Sequence, residues 1–184
     1  MRLKLVCVIV LSMAGSAMAA DGLTSPYRDQ AASEIRALTP QEIADFRDGR
    51  GMGLARAAEL NGYPGPRHVL DAARAGQLHL TAAQSRTVQG LFDRMAQQAQ
   101  RLGGEILREE QSLESEFRAG RIQETDLRAR VARIAALQGQ LRAVHLRTHL
   151  ETRAALTEQQ VRHYNELRGY SGDSAREPKP HDRH

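Results

Sequence analysis

Two histidines, His145 and His149, stand four residues apart in a long helical stretch, so their imidazoles share one side of a helix and could chelate a divalent ion. Two neutral imidazoles make half a site for zinc, copper or nickel, and at least one further donor must complete it. His163 lies about as far beyond the next turn as His149 lies before it. An antiparallel arrangement would then bring all three together. The competing assignment for His145 is a partly buried, hydrogen-bonded core histidine, because it lies on or beside the apolar stripe of its helix. His181 and His184 near the C-terminus are weaker candidates.

The same helix carries Arg128, Arg130, Arg133 and Arg142 among seven arginines between 121 and 153, against Glu124, Asp126 and Glu151. These arginines fit either a solvated face or an amphipathic surface, with guanidinium groups drawing acidic segments while neighbouring Leu and Val contact apolar ones. Glu109, Glu110, Glu114 and Glu116 are interleaved with arginine and read as a solvated face. No nucleophile elbow or ordered strand-to-helix turn supports a hydrolytic triad, and no catalytic residue is assigned. The glycines at 49, 51 and 53 follow no strand and lack a nucleotide fingerprint, so they read as a turn. The chain is expected not to be an enzyme and to need no cofactor, with Zn, Cu or Ni the only candidate ions.

A third pattern is repeated. Leu80-Thr81-Ala82-Ala83-Gln84 and Leu156-Thr157-Glu158-Gln159-Gln160 each write Leu-Thr-x-x-Gln, and Leu38-Thr39-Pro40-Gln41-Glu42 is a variant. Each is a helix start. Threonine at the N-cap accepts from the N3 backbone N–H, and Gln or Glu at N3 reaches back to the N-cap N–H. Leu38 and Leu156 can staple to Ile43 and Val161, whereas Leu80 faces Ser85.

The paired LTxxQ motifs, one opening a long helix and one a short C-terminal helix behind an export signal, resemble the Spy/CpxP family of periplasmic proteins. The segment Gly51–Pro66 is similar to a subgroup of that family, and the resemblance covers Leu38 to Tyr170. It implies an ATP-independent chaperone or envelope-stress modulator, built as a thin hairpin dimer that offers a concave face to unfolded envelope proteins. The family also contains heavy-metal sensors and resistance proteins, which makes metal binding through His145, His149 and His163 the alternative function.

The first 20 residues read as a signal peptide. Arg2 and Lys4 precede the apolar run Leu5–Leu11, and Ala17-Met18-Ala19 offers a cleavage site near Ala19 or Ala20. The apolar run falls short of the ~20 residues of a membrane span, so the expected location is the periplasm, with membrane attachment only if the signal stays uncleaved. Cys7 is the sole cysteine and lies inside that signal, so a cleaved chain has no thiol chemistry or disulfide. The formal charge of +4 falls to +2 once Arg2 and Lys4 are removed. Export, the absence of Trp and the lack of a recognised motif argue against nucleic acid as a partner.

The fold expected is all-α: a long antiparallel helical hairpin with short flanking N- and C-terminal helices, paired as a homodimer. Residues 21–37 read as a mobile arm, 38–170 as one all-helical domain and 171–184 as a disordered tail. Short helices are expected over Thr39–Asp48, Leu54–Leu60 and Arg67–Ala75. A long one over Ala82–Arg118 would span roughly 55 Å, with Gly103-Gly104 as a bend. It carries the stripe Val88, Phe92, Met95, Ala99, Leu102 and Ile106, and the exposed length of that stripe calls for a second copy. The return helix, about Glu124–Arg153, answers with Leu127, Val131, Ile134, Leu137, Leu141, Val144 and Thr148. Leu146 and Leu150 form a second face expected to receive the last helix, Glu158–Leu167.

Overall fold

The computed structural model describes residues 25–170, and within them the chain is all-helical, without strands. The order is α1 (Pro40–Asp48), α2 (Arg56–Glu59), α3 (Pro66–Arg74), α4 (Ala82–Arg118), α5 (Glu124–Ala155) and α6 (Glu158–Leu167). No helix among the described residues is long and apolar enough to cross a membrane. The stretch read as a signal peptide, the start of the expected arm and the expected 171–184 tail lie outside the described residues.

Helices α4 and α5 pack against each other as the antiparallel hairpin, and the short helices dress its base. Two apolar clusters result. In one, Phe46 of α1 meets Ala99, Leu102 and Ile106 of α4 and Leu137, Leu141 and Val144 of α5. In the other, Val69 and Leu70 of α3, Leu78 and Val88 surround Leu156 and the α6 residues Val161 and Tyr164. Towards the hairpin tip the core thins, leaving Phe117 and Val131 at least half exposed. Arginine ion pairs take over there. Arg130 of α5 reaches both Glu109 and Glu116 of α4, and Arg133 lies 3.2 Å from Glu105.

Three expectations change. Gly103 and Gly104 do not interrupt α4, whose hydrogen bonding runs through both. Gly103 instead lets α1 cross α4 backbone to backbone: a Cβ there would lie 1.9 Å from the Phe46 carbonyl oxygen. The described part of the N-terminal arm is tied down. Ile35 is buried, Gln111 donates to Glu34 at 2.5 Å and Arg36 lies 3.5 Å from Glu114. Its composition is polar, but a buried Ile and two polar contacts with α4 hold it. Finally, α6 does not cover the second face of α5. Tyr164 and Val161 are apolar enough to enter the α3–α4 cluster, and Leu150 stays 55% exposed.

Candidate functional site

All three threonine caps form as reciprocal capping boxes: Thr39 with Glu42, Thr81 with Gln84, Thr157 with Gln160. The two LTxxQ copies do more than cap, because their glutamines meet. Gln84 Nε2 donates to Gln160 Oε1 at 2.8 Å, and Gln160 Nε2 donates back to Gln84 Oε1 at 3.0 Å. The second N–H of each amide goes to the carbonyl of the residue before the other motif's leucine. Gln84 donates to Ala155 at 3.1 Å and Gln160 to His79 at 2.7 Å. Each Oε1 also accepts from its own N-cap N–H, so both amides spend their full donor and acceptor capacity. Leu156 is buried and Leu80 half-buried against the same cluster. The arrangement has local two-fold character and joins the start of α4 to the start of α6. Glu42, in the third copy, has no amide donors and makes no such pair.

The turn Asn61–Pro66 is held from behind by α5 and α6. His149 Nδ1–H donates to the Tyr63 carbonyl at 2.7 Å, which leaves Nε2 with its lone pair. Gly65 permits this approach, since a Cβ there would sit 3.0 Å from the His149 ring. Arg153 donates to the Gly62 carbonyl at 3.0 Å and lies over the Tyr63 ring. Glu59 receives the Tyr164 hydroxyl at 2.7 Å and the Tyr170 hydroxyl at 3.3 Å on one oxygen, with Arg168 at 3.4 Å. Burial and the Glu59 carboxylate together push the Tyr164 phenol far above its ordinary range, so it remains a donor.

His145 and His149 are both buried one turn apart on the inner side of α5. Burial, followed by the neighbouring His149, lowers the pKa of His145 and keeps it neutral. His68 on α3 is likewise lowered, by burial first and then by Arg168. His163 does not join the pair. Its Nε2–H donates to the Gln77 carbonyl at 2.9 Å and its Nδ1 lies 3.4 Å from Glu166. Among the described residues no group of three or more His, Cys, Asp or Glu is placed to hold a metal ion.

The four arginines separate in role. Arg130 and Arg133 bridge α5 to α4, and Arg128 pairs with Glu124 on its own helix at 2.7 Å. Arg142 is exposed, with no carboxylate within 4.0 Å among the described residues. Glu59, His68, Tyr63 and Arg168 were not legible as site residues. The dense turn signal at Asn61–Pro66 was the available hint, because a turn that rigid offers carbonyls at set positions.

Comparison with family models, with curated proteins and with solved structures finds no match.

Proposed function

We propose that this chain is an exported, ATP-independent holdase or envelope-stress modulator of the kind its LTxxQ pair resembles, working as a homodimer on unfolded envelope proteins. The observation that carries this reading is a second apolar row on α5. Ala132, Ala136, Gly139, Ala143, Leu146 and Leu150 step by four and three along the side of the helix about half a turn from the buried row Ile134, Leu137, Leu141 and Val144. All but Leu146 are exposed, and a Cβ on Gly139 would meet nothing within 4 Å. Arg142 and Arg147 flank the row, one on each side, both exposed. A contiguous apolar surface bordered by cations suits weak capture of apolar segments carrying acidic residues.

The test adds charge to that row. Ala136→Glu/Ala143→Glu should abolish suppression of aggregation of a reduced model client while leaving Tm close to wild type, because both sites are exposed. The charge-matched control Gln138→Glu/Gln140→Glu, off the row, should retain suppression. Equal suppression by both doubles rules out the α5 surface, and no suppression by the wild-type chain rules out the holdase reading.

A heavy-metal sensor is the second reading. It draws on the His149 ring, whose Nδ1–H is oriented by a backbone carbonyl as ligand histidines are.

A further inference from the structure

We propose that Asn61 is a site of spontaneous covalent modification, gated by Arg153 and His149. Its side-chain amide is lost to solvent water through attack by the Gly62 backbone nitrogen. The sequence holds two asparagines, Asn61 and Asn165. Asn61 is exposed and precedes a glycine, which has no side chain to shield its own nitrogen. Asn165 is half-buried inside α6 and precedes Glu166 in continuous helix. Covalent connectivity supplies the reach at Asn61, because the Gly62 nitrogen and the Asn61 Cγ are separated by a short run of bonds and attack closes a cyclic imide.

Hydroxide first removes the Gly62 amide proton. The nitrogen then adds to Cγ of Asn61, the Cγ–Nδ2 bond breaks, and ammonia leaves with a proton taken from water. Water next opens the imide at either carbonyl. Cleavage between nitrogen and Cγ leaves a carboxylate on the side chain. Cleavage at the main-chain carbonyl leaves an isoaspartyl linkage, whose main chain runs through Cβ and Cγ and carries an additional carbon. In both cases an amide and water become a carboxylate and ammonia, with nothing oxidised or reduced.

The folded turn blocks the first step. The Gly62 N–H donates to the Glu59 carbonyl at 3.3 Å, and a hydrogen-bonded amide gives up its proton only when the local structure opens. The leaving group is held as well, since Asn61 Nδ2 donates to the Ala57 carbonyl at 2.8 Å. Two side chains of α5 keep the turn closed: Arg153 donates to the Gly62 carbonyl at 3.0 Å and His149 to the Tyr63 carbonyl at 2.7 Å. The Glu59–Gly62 bond lies at the long limit for its kind, so those two contacts set how often the amide is released. An isoaspartyl linkage shifts both carbonyls away from Arg153 and His149, so modification traps the turn open. Neither Asn61 nor Gly62 belongs to the outer row of α5, and the inference stands apart from the holdase reading.

The test incubates the full chain at mildly alkaline pH and follows its pepsin fragments by mass, with the free peptide 57–66 as the open reference. The fragment holding Asn61 should gain the mass of an amide-to-acid exchange, at least about tenfold more slowly than the free peptide, as a local opening of about 1.4 kcal/mol or more requires. Arg153→Ala should speed the gain by about fivefold or more, because a charge-assisted bond on the turn is lost. Deuterium uptake at the Gly62 amide should rise in the same proportion while α4 amides stay unchanged. If Arg153→Ala loosens α4 too, Tyr63→Ala carries the same test, since it removes the ring beneath Arg153 and keeps both carbonyls. Asn61→Gln should stop the gain, because its longer side chain closes a less favoured ring. A wild-type rate equal to that of the free peptide overturns the proposal. So does a rate unchanged by freeing the turn, no gain in the freed turn, or equal modification at Asn165.

Discussion

Gln84 and Gln160, 76 residues apart, hydrogen-bond each other through both ends of their side-chain amides. Each also donates to the carbonyl just before the partner's motif, so the pair joins two helix starts with four bonds. Gln84→Ala and Gln160→Ala should each cost about 1–3 kcal/mol, because either change leaves partly buried polar groups unpaired. A double-mutant cycle should return a coupling on the order of 1 kcal/mol. A coupling near zero in urea titrations would show that the amides act only as separate caps. Glu42→Gln, in the copy without a partner, should change stability little.

The caps themselves are measurable. Thr81→Ala and Thr157→Ala should each lower stability by roughly 0.5–2 kcal/mol, and client protection well below Tm should survive. If Thr81→Ala leaves Tm unchanged yet removes protection, the motif contacts clients directly and capping is not its main role.

Adjacent glycines in α4 should respond with opposite signs. At Gly103 a Cβ would strike the Phe46 carbonyl oxygen at 1.9 Å, so Ala there must displace α1 and should destabilise by about 1–3 kcal/mol. At Gly104 the nearest atom to an added Cβ is the mobile Arg108 guanidinium at 3.6 Å. Gly104→Ala should therefore stabilise by roughly 0.5–1 kcal/mol through helix propensity. Urea midpoints of the two variants decide it, and equal effects would contradict the α1–α4 crossing.

Acidification should weaken the fold through His145 and His68. Both have pKa values lowered in the folded state from 6.5, mainly by burial, so the unfolded chain binds protons first. The stability they contribute is present above about pH 6.5 and is lost as pH falls through their lower folded values. The group that acts on His145 besides burial is His149, one turn on along its own helix, while His68 feels Arg168, Glu59, Asp71 and Arg67. His145→Phe should show a shallower loss of stability between pH 7 and 5.5 than wild type. Parallel curves would mean that His145 takes up its proton equally in the folded and unfolded chains.

Metal binding is separable from these effects. In a chain lacking 171–184, which removes His181 and His184, the holdase reading expects zinc, copper and nickel to leave Tm unchanged at pH 7.5. A rise in Tm that grows with ion concentration and disappears in His145→Ala/His149→Ala would establish the sensor reading instead.

Local signals determined much of this protein. Apolar residues stepping by three and four set the α4 and α6 boundaries, and Thr with Gln or Glu three residues on set the caps, because both depend on contacts within one or two helical turns. The hairpin followed from two long stripes joined by the short Ala119–Gln123 connection. Tertiary structure decided everything that depends on which surfaces meet. Gln84 finding Gln160, Gly103 admitting the backbone of α1, Arg130 and Arg133 turning from solvent to α4, and His163 bonding Gln77 instead of nearing His149 are long-range choices. Each was settled by competition for burial and for hydrogen-bond partners across the whole chain. Residue type and spacing state what a side chain can bond, while the packing of distant helices determines which partner comes within reach.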